Sequence, residues 1–159
     1  MWGLANLAGA SSSIRDQLVA KGLFSVIIDL LNTKRQLPFK DSLRPRLAWL
    51  ISNLLRDPPE AHTSLGFLSS VSGAIGYVRD SFLLPTTSAV MEECSFALFY
   101  LSGYSSEAAS LLANDPQLMR RLCELLHHES PVIQLNVVGI FCNVGMDDSG
   151  AYLAYVDHQ

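Results

Sequence analysis

Apolar residues recur along this chain at the three- and four-residue spacing that is typical of amphipathic helices. The segment from Leu43 to Arg56 shows this most clearly, because its apolar residues fall on one helical face: Leu47, Leu50, Ile51, Leu54 and Leu55. Pro58 and Pro59 follow and are expected to end the helix. Alternation with a period of two, the mark of a strand, is nowhere long enough to require one. The pattern therefore predicts an all-α protein.

The same pattern, with its capping and stop residues, places the other helices. A serine between residues 11 and 13 can cap a helix that stops at Gly22. Residues 33–40 are polar, contain a proline and are predicted to form a loop. Residues 1–9 resemble the end of a helix closed by Gly9, so we expect the sequence to begin inside a longer helical array. The remaining predicted helices are 23–31, 65–82 (weaker, since three glycines interrupt it), 88–103, 106–113, 117–127 and 132–144.

Four of these segments resemble one another: WGLANLAG from Trp2, WLISNLLR from Trp49, FALFYLSG from Phe96 and GIFCNVGM from Gly139. Their starts are 47, 47 and 43 residues apart. Helical repeats with periods of about 40 to 47 residues are typical of armadillo and HEAT solenoids. We therefore predict one right-handed α-solenoid of about three to four armadillo repeats, partial at both ends. The approximate units are 1–9, 10–57, 58–104, 105–148 and 149–159.

A ladder of polar and aromatic residues accompanies the repeat. Four residues after the start of each segment stand Asn6, Asn53, Tyr100 and Asn143. The four-residue spacing places each of them beside the first residue of its segment on one helical face. A carboxamide can hold a peptide backbone, and an indole face can pack the stem of a lysine or arginine and attract its charge. The ladder predicts a surface for an extended peptide; the alternative is that each tryptophan is a core residue and each asparagine ties a loop.

Composition and charge limit the kinds of binding partner and the cellular environment that we expect. Hydrophobic residues make up 49% of the chain and charged residues only 16%, so large faces must be covered by neighbouring repeats. The net charge of -4 argues against nucleic acid as the partner. No stretch of 18 apolar residues is present, and we expect neither a membrane span nor a signal peptide. Cys94, Cys123 and Cys142 are predicted to be buried, reduced thiols of a cytosolic or nuclear protein.

Candidate catalytic and metal-binding groups do not form a usable constellation. We interpret the run of His127, His128 and Glu129 as a solvated helix end, because the side chains of adjacent histidines point in different directions on a helix. Residues 147–150 lack the alternating oxygen ligands of a calcium loop, and residues 69–73 lack the arrangement of a nucleophile elbow. We predict a protein that is not an enzyme and that has no cofactor and no metal.

The repeated segments resemble the importin-α (karyopherin-α) family of armadillo adaptors, which bind nuclear localisation signals. The resemblance lies in WGLANLAGAS (2–11), AWLISNLLRD (48–57), ECSFALFYLSG (93–103) and NVVGIFCNVGMDD (136–148). Connecting stretches agree as well: SSIRDQLVAKG, HHESPVIQ and the terminal VDHQ. The resemblance covers nearly the whole chain and is weakest over residues 61–88.

This resemblance implies an adaptor of the cytoplasm and nucleus whose concave Trp/Asn groove binds basic peptide segments of nuclear cargo. Trp2 and Trp49 would sandwich the stems of the signal's lysines, while Asn6 and Asn53 would hold its backbone. Glu93 stands at the place of a family aspartate that meets a basic side chain. The remaining groove positions would be Phe96, Tyr100 and Asn143. Importin-β would bind only through a basic segment that is missing from this sequence.

Three positions depart from the family pattern, and two of them, Ala10 and Arg46, support a rival hypothesis. Ala10 replaces the aspartate that pairs with the key lysine, and Arg46 replaces a groove asparagine and would repel a basic ligand. Gly139 replaces an arginine. The rival is a diverged armadillo scaffold that binds another protein, with little or no signal binding.

Overall fold

The computed structural model describes residues 2–34, 40–56, 75–84 and 86–145. Every regular element in these ranges is a helix. The helices are α1 (Trp2–Ala10), α2 (Ser12–Ala20), α3 (Leu23–Lys34), α4 (Lys40–Leu55), α5 (75–83), α6 (Ser88–Ser102), α7 (Ser106–Ala113), α8 (Pro116–Leu125) and α9 (Pro131–Gly145).

Local capping residues explain where several helices begin and end. The Ser11 hydroxyl accepts from the backbone N–H of Ile14 at the start of α2, and Ser105 does the same for Ala108 at the start of α7. Gly22 adopts a φ of 80°, a left-handed conformation that glycine reaches without a steric cost, and so separates α2 from α3. Pro116 and Pro131 occupy the first position of their helices, where a missing N–H costs nothing.

Some predicted boundaries differ from the observed ones. Of residues 33–40, which were predicted to form a loop, residues 33, 34 and 40 are helical, because α3 continues to Lys34 and α4 already begins at Lys40; residues 35–39 lie outside the described residues. Gly9 does not close α1, which continues to Ala10 before Ser11 caps the next helix. Of the weak helix predicted over 65–82, residues 75–83 are helical and the rest lies outside the described residues.

The helices form two layers around a continuous apolar core. In the first layer α1 packs on α4, α4 on α6, and α6 on α9, so the helices that carry the four similar segments are consecutive neighbours. In the second layer, Arg121 of α8 donates through Nε to the carbonyl of Phe82 in α5 (3.1 Å). Side chains such as Leu50, Leu98 and Ile140 are buried in the core between the layers. The stacking brings the ladder positions onto one layer.

The three cysteines occupy different environments. Cys94 is fully buried in the core, and burial raises the pKa of its thiol to about 12. Cys123 is half-buried, and Cys142 is exposed. The prediction of buried thiols therefore holds for Cys94 and was wrong for Cys123 and Cys142, because a helical pattern shows which face a residue shares without showing how fully that face is covered.

Among the described helices, none combines the length and the apolar character that crossing a membrane requires.

Candidate functional site

The candidate site is the face of α1, α4, α6 and α9 that carries the ladder positions, and we call it the ladder face. Trp2 at its beginning is 67% exposed, and Asn6 beside it is exposed as well. Trp49 is half-buried against the core. The other predicted groove residues are half-buried, except for one asparagine considered below: Glu93, Phe96, Tyr100 and Asn143.

The centre of the ladder face is aromatic. The rings of Phe96 and Tyr100 stack with their centroids 6.2 Å apart and their planes inclined by 19°. The Phe99 ring also lies beside Tyr100, with ring centroids 5.7 Å apart and the planes tilted by 50°. The four-residue spacing predicted that Phe96 and Tyr100 lie side by side. The repeat pattern did not indicate Phe99 as a residue of the ladder face. The two stacked rings of Phe96 and Tyr100 provide a partly exposed aromatic surface of the kind that packs aliphatic stems and attracts cations.

Gly139 makes room for Phe99. A Cβ atom at this position would lie 2.5 Å from Cε2 of the Phe99 ring, closer than two carbon atoms can approach. The glycine therefore lets the ring of one ladder helix lie against the backbone of the next. The sequence indicated this contact only through the glycine at the start of the fourth segment. That glycine was interpreted solely as the replacement of a family arginine.

Asn53 is buried and forms a hydrogen bond between two helices of the array. Its side chain is only 5% exposed, and its Nδ2 donates to the carbonyl of Ala5 on α1 (3.1 Å). Gly9 lies beneath it, since a Cβ there would be 3.3 Å from Nδ2 of Asn53. The carboxamide thus joins two successive ladder helices. This is close to the alternative that each asparagine ties parts of the chain together instead of binding a peptide. Its role toward a peptide stays a prediction.

Asn143 repeats this arrangement one junction further along. Its Nδ2 lies 2.9 Å from the Ser102 hydroxyl and 3.5 Å from the carbonyl of Phe99. A Cβ at Gly103 would lie 3.1 Å from the same amide nitrogen. Unlike Asn53, Asn143 keeps part of its surface open to solvent. An asparagine over a glycine of the preceding helix is thus a recurring contact of the ladder.

Charges near the ladder face are distributed unevenly. The Glu93 carboxylate accepts a hydrogen bond from the hydroxyl of Ser52 (2.7 Å), and Glu92 accepts one from the hydroxyl of Ser130 (2.6 Å). Both glutamates are half-buried, whereas Arg46 and Arg56 are exposed. Asp57, which could add negative charge, lies outside the described residues. Among the charged side chains described over residues 43–56, the exposed ones are therefore positive.

Other candidate chemistry finds no site in the described part of the chain. His128 accepts the backbone N–H of Ser130 at Nδ1 (3.0 Å), and its carbonyl accepts from Nε2 of Gln134 (2.8 Å), so it shapes the entry to α9. The described residues contain no group of three or more histidine, cysteine, aspartate or glutamate side chains that could hold a metal ion. Residues 69–73 and 147–150 lie outside the described ranges.

Two curated plant proteins are similar in sequence. Importin subunit alpha-1b of Oryza sativa subsp. japonica is 24% identical over 159 residues, covering 100% of this chain and 28% of the rice protein. Importin subunit alpha-2 of Arabidopsis thaliana is 28% identical over 131 residues, covering 82% of this chain and 22% of that protein. The chain thus spans 28% or less of the length of these relatives. No protein-family model matches the chain.

Two solved structures are similar in fold. A designed armadillo repeat protein in complex with the peptide (KR)4 superimposes with a TM-score of 0.78 at 15% identity, covering 98% of this chain and 60% of that one. An engineered protein matches with a TM-score of 0.76 at 19% identity over the same shares of the two chains.

These comparisons confirm the predicted class: the chain is an all-α solenoid of armadillo repeats. Within that class, the two plant relatives confirm the resemblance to importin-α subunits at low identity. The boundaries of the individual repeats remain a prediction.

Proposed function

We propose that this chain is a peptide-binding armadillo scaffold whose ladder face holds an extended basic peptide, as an importin-α-like adaptor holds a nuclear localisation signal. The peptide would lie across α1, α4, α6 and α9, and its source would be nuclear cargo carried between cytoplasm and nucleus. The role is that of a binding protein rather than an enzyme, as expected from the sequence.

The observation that carries the proposal is the series of aromatic side chains on successive ladder helices. Trp2 is largely exposed, Trp49 is half-buried, and the stacked rings of Phe96 and Tyr100 follow on α6. A lysine or arginine stem can pack on each aromatic face while its charge stays close to the ring. The designed armadillo protein that binds (KR)4 has the same fold, which supports a basic peptide as the ligand class.

The acidic partner on this face is Glu93. Its carboxylate already accepts from Ser52 and is half-buried, so it can offer its remaining acceptor capacity to a basic side chain. Ala10 replaces the aspartate of the family pattern and removes a second charge-assisted contact, worth about 1.5 to 3 kcal/mol. We therefore expect binding weaker than that of a groove with both acids.

Two observations favour the rival function, an armadillo scaffold for another protein partner. Asn53 donates to Ala5 and has little surface left for a peptide backbone. Arg46 is exposed three residues before Trp49, where its charge opposes a basic ligand. A partner with acidic character near Arg46 would suit this part of the face better.

Titration of a fluorescent lysine-rich peptide by anisotropy, at two salt concentrations, tests the proposal. Trp2→Ala should weaken binding about threefold to tenfold, because it removes one aromatic face and costs little stability at an exposed site. Leu111→Ala is the matched control, since Leu111 is also a large exposed apolar residue but lies on α7. Binding should weaken as salt rises.

The opposite outcome would be a folded protein that leaves the anisotropy unchanged, which would favour the rival scaffold. An equal effect of Trp2→Ala and Leu111→Ala would place the peptide elsewhere. A Trp49→Ala, Asn53→Ala double variant gives a useful result only with a parallel stability measurement, because Asn53 also joins α4 to α1.

A further inference from the structure

One stripe of side chains recurs on three successive ladder helices. On α4 it consists of Arg46, Trp49 and Asn53, which stand at i, i+3 and i+7 and therefore share one side of the helix. The equivalent residues are Glu93, Phe96 and Tyr100 on α6 and Asn136, Gly139 and Asn143 on α9. We call the first residue of each stripe the lead position. It is a cation on α4, an anion on α6 and an amide on α9.

The lead position of α6 lies beside the preceding ladder helix. The Glu93 carboxylate accepts from the Ser52 hydroxyl of α4 (2.7 Å), and the same hydroxyl oxygen lies 3.0 Å from the carbonyl of Trp49. One hydroxyl group therefore separates the Glu93 carboxylate from the backbone of Trp49. Arg46 stands one turn before Trp49 on α4, so a positive and a negative side chain flank the same tryptophan.

Neither of these two charges is neutralised within the part of the chain that the structure describes. The ion pairs formed there involve the guanidinium groups of Arg79 and Arg121, and none joins Arg46 to Glu93. Arg46 is exposed, and Glu93 is half-buried with acceptor capacity left beside Ser52. The third lead residue, Asn136, is instead buried and donates to Ser95 of α6 (2.8 Å). The lead positions that can meet a ligand's charge are therefore those of α4 and α6.

The spacing of these two positions matches an extended peptide. The axes of packed helices are about 8–10 Å apart, and equivalent residues on neighbouring ladder helices are separated by about this distance. An extended chain advances about 3.3 Å per residue, so about three residues of a peptide span it.

We propose that the ladder face selects a peptide in which an acidic side chain stands about three residues from a basic one, the acid pairing with Arg46 and the base with Glu93. This inference rests on the proposed peptide binding and specifies its ligand. The ligand is a basic peptide that is interrupted by an acidic residue at one place.

Arg46 supports this selectivity in two ways. Its planar guanidinium can donate two parallel hydrogen bonds to a carboxylate. Its charge also repels a lysine at the same place, and repulsion of the wrong ligand adds to the specificity that attraction of the right one provides. A peptide with basic residues alone would meet Glu93 favourably and Arg46 unfavourably, whereas a mixed peptide would meet both favourably.

Anisotropy titration of three labelled peptides at low salt tests this selectivity. The parent is a lysine-rich peptide; in one version glutamate replaces the lysine about three positions before the central lysine, and in the other the lysine about three positions after it. The two glutamate versions have equal net charge, so a difference between them reports the position of the acid. The version whose acid meets Arg46 should bind about fivefold more tightly than the other.

Arg46→Glu should abolish or reverse this preference, because the acid would then meet a like charge. The matched control is Arg120→Glu, which changes the net charge equally on α8 and should leave the preference unchanged. Both arginines are exposed, so both variants should keep the wild-type helical circular dichroism.

Two results would overturn the inference and leave the proposed function standing: the parent peptide binds while the two glutamate versions bind equally well, or the preference survives Arg46→Glu. A folded protein that binds none of the three peptides would overturn the proposed function and the inference together.

Discussion

At the scale of single residues, glycines decide how closely the ladder helices approach. Gly139 accommodates the Phe99 ring, while Gly9 and Gly103 accommodate the carboxamides of Asn53 and Asn143. Each pair joins a residue without a side chain to a flat group on the neighbouring helix. Glycine inside a helix destabilises it by about 0.5–1 kcal/mol relative to alanine. At these positions the closer contact between helices offsets that loss of helix propensity.

We expect Gly139→Ala to destabilise the protein by about 1–3 kcal/mol, because the added Cβ would lie 2.5 Å from the Phe99 ring and overpack the junction. Gly3→Ala is the matched control, since nothing lies within 4 Å of a Cβ at that position. The control should be neutral or slightly stabilising. Urea unfolding of both variants measures the difference; equal stability would show that the ring moves away freely.

At the scale of helices, the N-terminus of α8 joins two repeats in the second layer. The Asp115 carboxylate caps α8 by accepting from the N–H groups of Gln117 (3.1 Å) and Leu118 (3.0 Å). It also forms an ion pair with Arg79 of α5. Burial by itself would raise the pKa of Asp115, but the Arg79 guanidinium and the two backbone donors outweigh it and lower the pKa below its usual range.

A lowered carboxyl pKa in the folded state means stability that is present at neutral pH and lost as the pH falls through that pKa. Asp115→Asn keeps a capping acceptor but removes the charge, so it should cost about 1 kcal/mol at pH 7. The gap in stability between wild type and variant should begin to narrow once the pH falls below the ordinary pKa of an aspartate, about 3.9. Chemical unfolding at several pH values measures it; a gap independent of pH would contradict the assignment.

The helices themselves could be predicted largely from the sequence, because capping serines, prolines in first turns and apolar spacing act locally. The interval of the repeat likewise identified the ladder helices α1, α4, α6 and α9 as equivalent. The burial of Asn53 and the contact of Phe99 with Gly139 could not be predicted. Helical spacing shows which face a residue shares, while its environment depends on the neighbour's distance and rotation.

At the scale of the whole molecule, the distribution of charge matters more than its sum. The net charge of -4 suits a basic ligand, yet exposed Arg46 lies one turn from Trp49 on the ladder face. The overall negative charge would therefore attract a basic ligand, whereas the local positive charge at the proposed site would repel it.

If the ladder face binds a basic peptide, Arg46→Glu should raise the affinity about fivefold at low salt, since a repulsive charge becomes an attractive one. Arg120→Glu changes the net charge equally but lies exposed on α8, in the other layer. The same anisotropy titration compares the two variants. Similar gains for both would mean that only net charge acts, and that the peptide does not lie near Arg46.

The individual character of each junction has a consequence for how such an array can grow by gene duplication. A tandem copy of the repeat that ends in α6 would place the new Glu93 opposite Phe99, where the present junction offers it the Ser52 hydroxyl. The new Phe96 would meet the Phe99 ring where Gly139 now leaves space. A duplicated repeat would therefore lose a hydrogen bond and gain a steric clash at its first junction, so duplication alone would not extend the array.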